Sequence, residues 1–194
     1  MTVMTRESEA KQPDPDDVLR EFLSLEIPYG YRAELIDGEI IVSPPPGGNH
    51  EHCIARITSQ VNRRSAVPMD VSGNKGLIVP NVEGHSRVIP DLTIAPEELS
   101  LFVDAPSWMR PSGVEMVVEV TSTLVDVDRN SKRRSYAAAR IPLYLLIGRD
   151  DKTVTLFSGP ARDTYATATT VPFGDPLDLP KPFDFTLETG GFVS

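Results

Sequence analysis

The segment Val114-Glu115-Met116-Val117-Val118-Glu119-Val120 constrains the fold more than any other part of the chain. A short apolar run rich in β-branched residues reads as a strand buried on both faces, the kind found in sheets covered by helices. Around it, helical and strand signals alternate. Asp14-Pro15 supplies an N-cap and a first-turn proline, and Val18, Leu19, Phe22 and Leu25 follow at helical spacing, predicting a helix near 15–26. Asp37-Gly38 lies between two alternating runs and predicts a hairpin, because a type I′ turn needs positive φ at both central residues. Ile54, Ile57 and Val61 predict a helix running from Asn49 to a basic end at Arg63-Arg64. Short strands are expected at 67–71 and 76–80, followed by one strand near 86–95 in which Pro90 marks a bulge or an edge. Residues 97–113 read as loop, 126–140 as helix, and 142–148, 152–159 and 164–171 as strands; the Pro-rich end from 172 yields no clear element. The economical architecture is α/β, a twisted sheet with helices packed against it.

At 194 residues the chain suits one domain, expected at 14–194, behind a flexible polar tail at 1–13. No apolar run approaches the roughly 20 residues needed to span a bilayer, and the acidic N-terminus lacks the layout of a secretory signal. A single cysteine, Cys53, excludes an internal disulfide and fits a reducing cytoplasm. The expected location is therefore cytoplasmic, without membrane contact. Net charge is −9, from 28 acidic and 19 basic residues, which argues against a protein that coats nucleic acid electrostatically. It leaves a nuclease open, because local field matters more than the total and a metal ion can neutralise phosphate directly.

Two acids stand in apolar surroundings: Asp91 after Ile89-Pro90, and Glu119 between Val118 and Val120. A carboxylate in a buried strand is costly unless it is paired or metal-bound. Strands lying side by side would bring the two together, and hard oxygen ligands of this kind suit Mg²⁺. The alternative is that Asp91 caps a turn and Glu119 pairs with an arginine. His50, near the start of a helix, is a candidate to contact phosphate or assist proton transfer; otherwise it is structural. His50, His52 and Cys53 do not make a zinc site, since a second ligand pair is missing. Arg129, Lys132, Arg133 and Arg134 form a basic patch that would suit phosphate docking or simply face water. Phosphate-loop, dinucleotide-loop and serine-hydrolase motifs are absent.

The order of several short stretches resembles the PD-(D/E)xK nuclease superfamily, and more closely the Uma-two restriction-endonuclease family. These stretches are Glu34-Leu35-Ile36-Asp37-Gly38-Glu39-Ile40, Ser43-Pro44-Pro45-Pro46 with His50 after it, Pro90-Asp91-Leu92, Glu119-Val120-Thr121-Ser122, Asp128 through Lys132 to Tyr136, and Ile141-Pro142-Leu143-Tyr144-Leu145. The resemblance implies a restriction-endonuclease-like fold with a central mixed β-sheet flanked by helices. It also implies hydrolysis of nucleic acid, DNA first, with Mg²⁺ or Mn²⁺ held by Asp91 and Glu119, and a homodimer as a possible assembly. One departure is visible: Thr121 stands where the superfamily's E-x-K lysine belongs. The resemblance implies that Lys132, on the following helix, takes that role; the competing reading is an Asp128–Lys132 surface pair at i,i+4. It makes Glu34 a further acidic ligand, against an exposed strand position. Glu39 is expected to face solvent, and Tyr136 to pack its helix on the sheet. The alternative function is a non-catalytic module of the same fold serving a protein partner.

Overall fold

The computed structural model describes residues 14–81, 84–121 and 127–193, with the side chains of 81, 84–85 and 127–129 left aside. The expected tail at 1–13 lies outside these residues. Helix α1, Pro15–Ser24, starts as the sequence predicts: Asp14 accepts the backbone N–H of Asp16 and Pro15 occupies the first turn. Strands β1 (Arg32–Ile36) and β2 (Glu39–Ser43) form the hairpin, with Asp37 at φ 48° and Gly38 at φ 81°. Helix α2, Gly48–Arg64, ends on its two arginines and buries Cys53, Ile57 and Val61.

The chain continues through β3 (Met69–Ser72), β4 (Gly76–Asn81), β5 (Gly84–Val88), β6 (Leu92–Pro96), the two-residue β7 (Trp108–Met109) and β8 (Met116–Thr121). A wide π-helical turn at Val127–Lys132 leads into α3, Arg133–Ala138. Strands β9 (Leu143–Gly148), β10 (Thr153–Ala161) and β11 (Thr164–Pro172) complete the main sheet, and β12 (Leu177–Leu179) pairs with β13 (Phe185–Leu187).

Two sheets result. One has the order β2-β1-β5-β4-β7, the other β11-β10-β9-β8-β6-β3. The second is mixed: β8 runs parallel to β9 and antiparallel to β6. The single strand expected near 86–95 is in fact two, one in each sheet, and Pro90 stands where the chain crosses between them. A residue without a backbone N–H suits a crossover better than a ladder position. The Pro-rich end is also structured: Leu177, Leu179, Phe183, Leu187 and Phe192 pack with Ile57 and Val61 of α2 over the six-stranded sheet.

Alternation along β8 decides what each side chain meets. Met116, Val118 and Val120 join the core under α2. Val117 joins a second core with Val79 and Val88 of the five-stranded sheet, Tyr136 of α3 and Tyr144 of β9. Glu119 shares the parity of Val117, so it stands on the face turned toward the five-stranded sheet and α3.

Candidate active site

β6 and β8 pair antiparallel with Leu92 opposite Val118, and one step further sets Asp91 opposite Glu119. Asp91 immediately precedes β6 rather than lying inside a strand, and its Oδ2 accepts the backbone N–H of Val120 at 2.8 Å. The two acids found in the sequence are therefore neighbours, 8% and 4% exposed.

Each carboxylate has a distinct set of partners. His50, in the first turn of α2, brings Nε2 to 3.0 Å from Asp91 Oδ2, while its Nδ1 lies 3.2 Å from Glu51 Oε1. Arg32, the first residue of β1, donates to Asp91 Oδ1 and to Asn74 Oδ1, both at 3.2 Å. Its Nε is buried without a partner among the described residues. On the other side, Glu119 Oε1 accepts the Tyr136 hydroxyl at 2.5 Å and Lys132 Nζ at 3.2 Å. Lys132 Nζ also lies 3.0 Å from Glu34 Oε1, which accepts the Ile89 N–H at 2.6 Å.

Five sequence candidates thus form one continuous cluster: Glu34, His50, Asp91, Glu119 and Lys132. Lys132 is 2% exposed and Glu34 5%, so neither is a surface residue. Lys132 reaches the carboxylates from the wide turn before α3, although E-x-K spacing would have placed a lysine on β8 itself. Two residues escaped sequence reasoning. Arg32 reads as the polar start of a hairpin strand, and Tyr136 as helix packing alone. Of the basic patch, Arg133 lies over the Phe157 ring and Arg134 donates to Asp37 at 3.3 Å, so these arginines already have internal partners. Glu39 is exposed, as expected.

The pKa shifts follow from these contacts. Burial pushes the Asp91 carboxyl up, but hydrogen bonding and charge from His50, the Val120 N–H and Arg32 outweigh it and hold the group below the usual carboxylate range. Burial lowers His50, yet Asp91 and Glu51 more than restore it, so the imidazole is raised above its ordinary value. The Tyr136 hydroxyl is pushed far up, by burial first and then by Glu119.

Asp91, His50, Arg32, Asn74 and Tyr31 line a cleft of about 420 Å³. Glu119 and Lys132 lie behind it. Among the described residues, the buried carboxylates Glu34, Asp91 and Glu119 meet Arg32 and Lys132. No set of three His, Cys, Asp or Glu side chains among the described residues is arranged as a ready metal cage. A hard divalent cation does not need one: Mg²⁺ is commonly held by one or two carboxylates and keeps several waters. The donor set fits such an ion, with Asp91 and Glu119 as the carboxylates.

Comparison with known proteins matches residues 19–190 to the Uma2 family model, described as "Putative restriction endonuclease". Among solved structures, a "putative nuclease" of the DUF820 family from Anabaena variabilis superposes with a TM-score of 0.57. It is 18% identical, and the match covers 85% of this chain and 90% of that one, which shows a shared fold. No curated protein matches. Among the described residues, no helix is long and apolar enough to cross a membrane.

Proposed function

The chain belongs to the Uma2 family, and on that premise we propose that it is a divalent-cation-dependent endonuclease hydrolysing nucleic-acid phosphodiester bonds, DNA first. The observation that carries this reading is that Asp91 lines a cleft and stands one step beyond the Leu92–Val118 pair, next to Glu119 behind it. Asp91 and Glu119 would hold the ion, with Glu34 behind them; when bound, such an ion polarises a phosphodiester and lowers the pKa of an attacking water. Around them the chain's own groups have separate tasks. Lys132 and Tyr136 fix the Glu119 carboxylate, and Lys132 ties it to Glu34. His50 and Arg32 orient Asp91 and present cationic or donor groups to a phosphate in the cleft.

A second reading, a non-catalytic module of the same fold, is favoured by one observation. Both carboxylate oxygens of Asp91 accept hydrogen bonds from protein groups, Arg32, His50 and the Val120 N–H.

The test is cleavage of plasmid and single-stranded DNA with Mg²⁺ or Mn²⁺, beside Asp91→Ala and Glu119→Ala. Cleavage by the parent that both variants lose is the expected result. A folded parent that neither cuts nor binds the ion overturns the enzyme reading in favour of the module.

A further inference from the structure

The cleft has a rim that the proposed chemistry does not use. Residues 28–31, Pro-Tyr-Gly-Tyr, form a turn closed by the Tyr31 N–H donating to the Pro28 carbonyl at 3.1 Å. Gly30 sits at φ +84°, a conformation that L side chains rarely adopt, so the turn depends on it. The result is unusual for aromatic residues. Tyr29, at the tip, is 105% exposed, and Tyr31 is 41% exposed while lining the cleft beside Arg32, His50 and Asp91. An aromatic ring left in water forgoes the gain of burial, and here two such rings stand two residues apart on one turn, with Tyr31 lining the polar cleft.

We propose that Tyr29 and Tyr31 form a stacking subsite for an unpaired nucleobase of a nucleic-acid strand entering the Asp91 cleft. The identification of the strand as substrate rests on the nuclease reading; the platform rests on the two tyrosines. Three observations point to a single strand rather than a duplex. A cleft of about 420 Å³ lies within the range of small-ligand pockets, about 300–1,000 Å³, and is suited to a nucleotide rather than a double helix. A net charge of −9 argues against affinity drawn from broad phosphate contact, whereas stacking on aromatic faces tolerates any base. Beside Tyr31, Arg32 has a buried Nε–H without an acceptor among the described residues, a donor that a phosphate oxygen could satisfy after the guanidinium adjusts.

The experiment uses the full chain with chelator, so that no cleavage occurs. Fluorescence anisotropy follows a labelled single-stranded DNA oligonucleotide, a matching strand of abasic sites, and a duplex. Tyr29→Ala/Tyr31→Ala should weaken single-strand binding by about tenfold or more. Tyr29→Phe/Tyr31→Phe should retain it, because stacking needs the ring and not the hydroxyl. The parent should bind the abasic strand and the duplex more weakly. Equal binding by the alanine variant and the parent, or equal affinity for the abasic strand, overturns the proposal. So does a parent dimer in sedimentation that the alanine variant loses, which would assign the patch to a second copy of the chain. The two readings separate cleanly. A parent that binds single strands through its tyrosines but neither cuts with Mn²⁺ nor binds the ion sinks the nuclease and keeps the platform. A parent that cuts as well as the alanine variant, at the same KM, does the reverse.

Discussion

Asp91 and Glu119 face each other across one strand pair with nearly equal exposure, yet they belong to different environments. Glu119 sits among groups that water does not reach: Lys132, Tyr136 and, through Lys132, Glu34. Asp91 lines the cleft, and its partner Arg32 keeps 23% of its side chain in solvent. Removing a partner from the inner group leaves a charge with nowhere to go. Removing one from the outer group leaves a charge that water or a ligand can meet. His50 is nearly as buried as the partners of Glu119, so access through Arg32 and the cleft, more than burial of the carboxylates, separates the two halves.

The largest effect should come from breaking the inner half. Glu119→Ala strands Lys132 between Glu34 and an empty position and should cost about 3–5 kcal/mol in urea unfolding, the usual result of breaking a buried pair. Asp91→Ala should cost clearly less; an equal loss would erase the distinction between the halves. Next comes ion binding. Saturating Mn²⁺, at about 100 times its Kd, should stabilise the parent by about 2.7 kcal/mol and leave Asp91→Ala unchanged in a thermal-shift titration. Tyr136→Phe removes a hydrogen bond to a buried carboxylate and should cost about 2 kcal/mol, with cleavage reduced through a misplaced Glu119.

The smallest effect is the pH dependence of the outer half in chelated protein. The pKa of His50 is raised by folding, so its stabilisation is fully present below the unfolded value near 6.5 and fades as pH rises through the folded value. The difference in melting temperature between the parent and His50→Gln should therefore be larger at acid pH than at alkaline pH. A constant difference would show that the Asp91–His50 contact does not depend on the imidazole charge.

The sequence made some of this legible for local reasons. Asp37-Gly38 encodes its own turn, Asp14-Pro15 its own helix start, and the valines around Glu119 its burial. What it hid depends on contacts between distant segments. Glu34 is a candidate ligand only through the family resemblance, and its burial beside the Ile89 N–H shows once β5 is placed beside β1. Arg32 and Tyr136 have ordinary readings, strand end and helix packing, and only the positions of Asp91 and Glu119 make them part of a site. Pro90 was visible as an interruption, but whether it bends a strand or divides two sheets is a question of topology. The Pro-rich end lacked periodicity because its strands are three residues long, too short to establish one.

The wide turn at Val127–Lys132 bears on how such sites are recognised in other chains. An ordinary helix advances about 100° per residue, so adding or losing one residue normally turns every later side chain away from its target. A π turn takes up an extra residue locally and lets the following helix keep its heading. One residue more or less between Glu119 and Lys132 could therefore be taken up in the turn with the ammonium group kept in place. A search pattern that counts residues between the two will pass over such chains. One that asks for a lysine on the next helix, within reach of an acid on the parallel-paired strand, will find them.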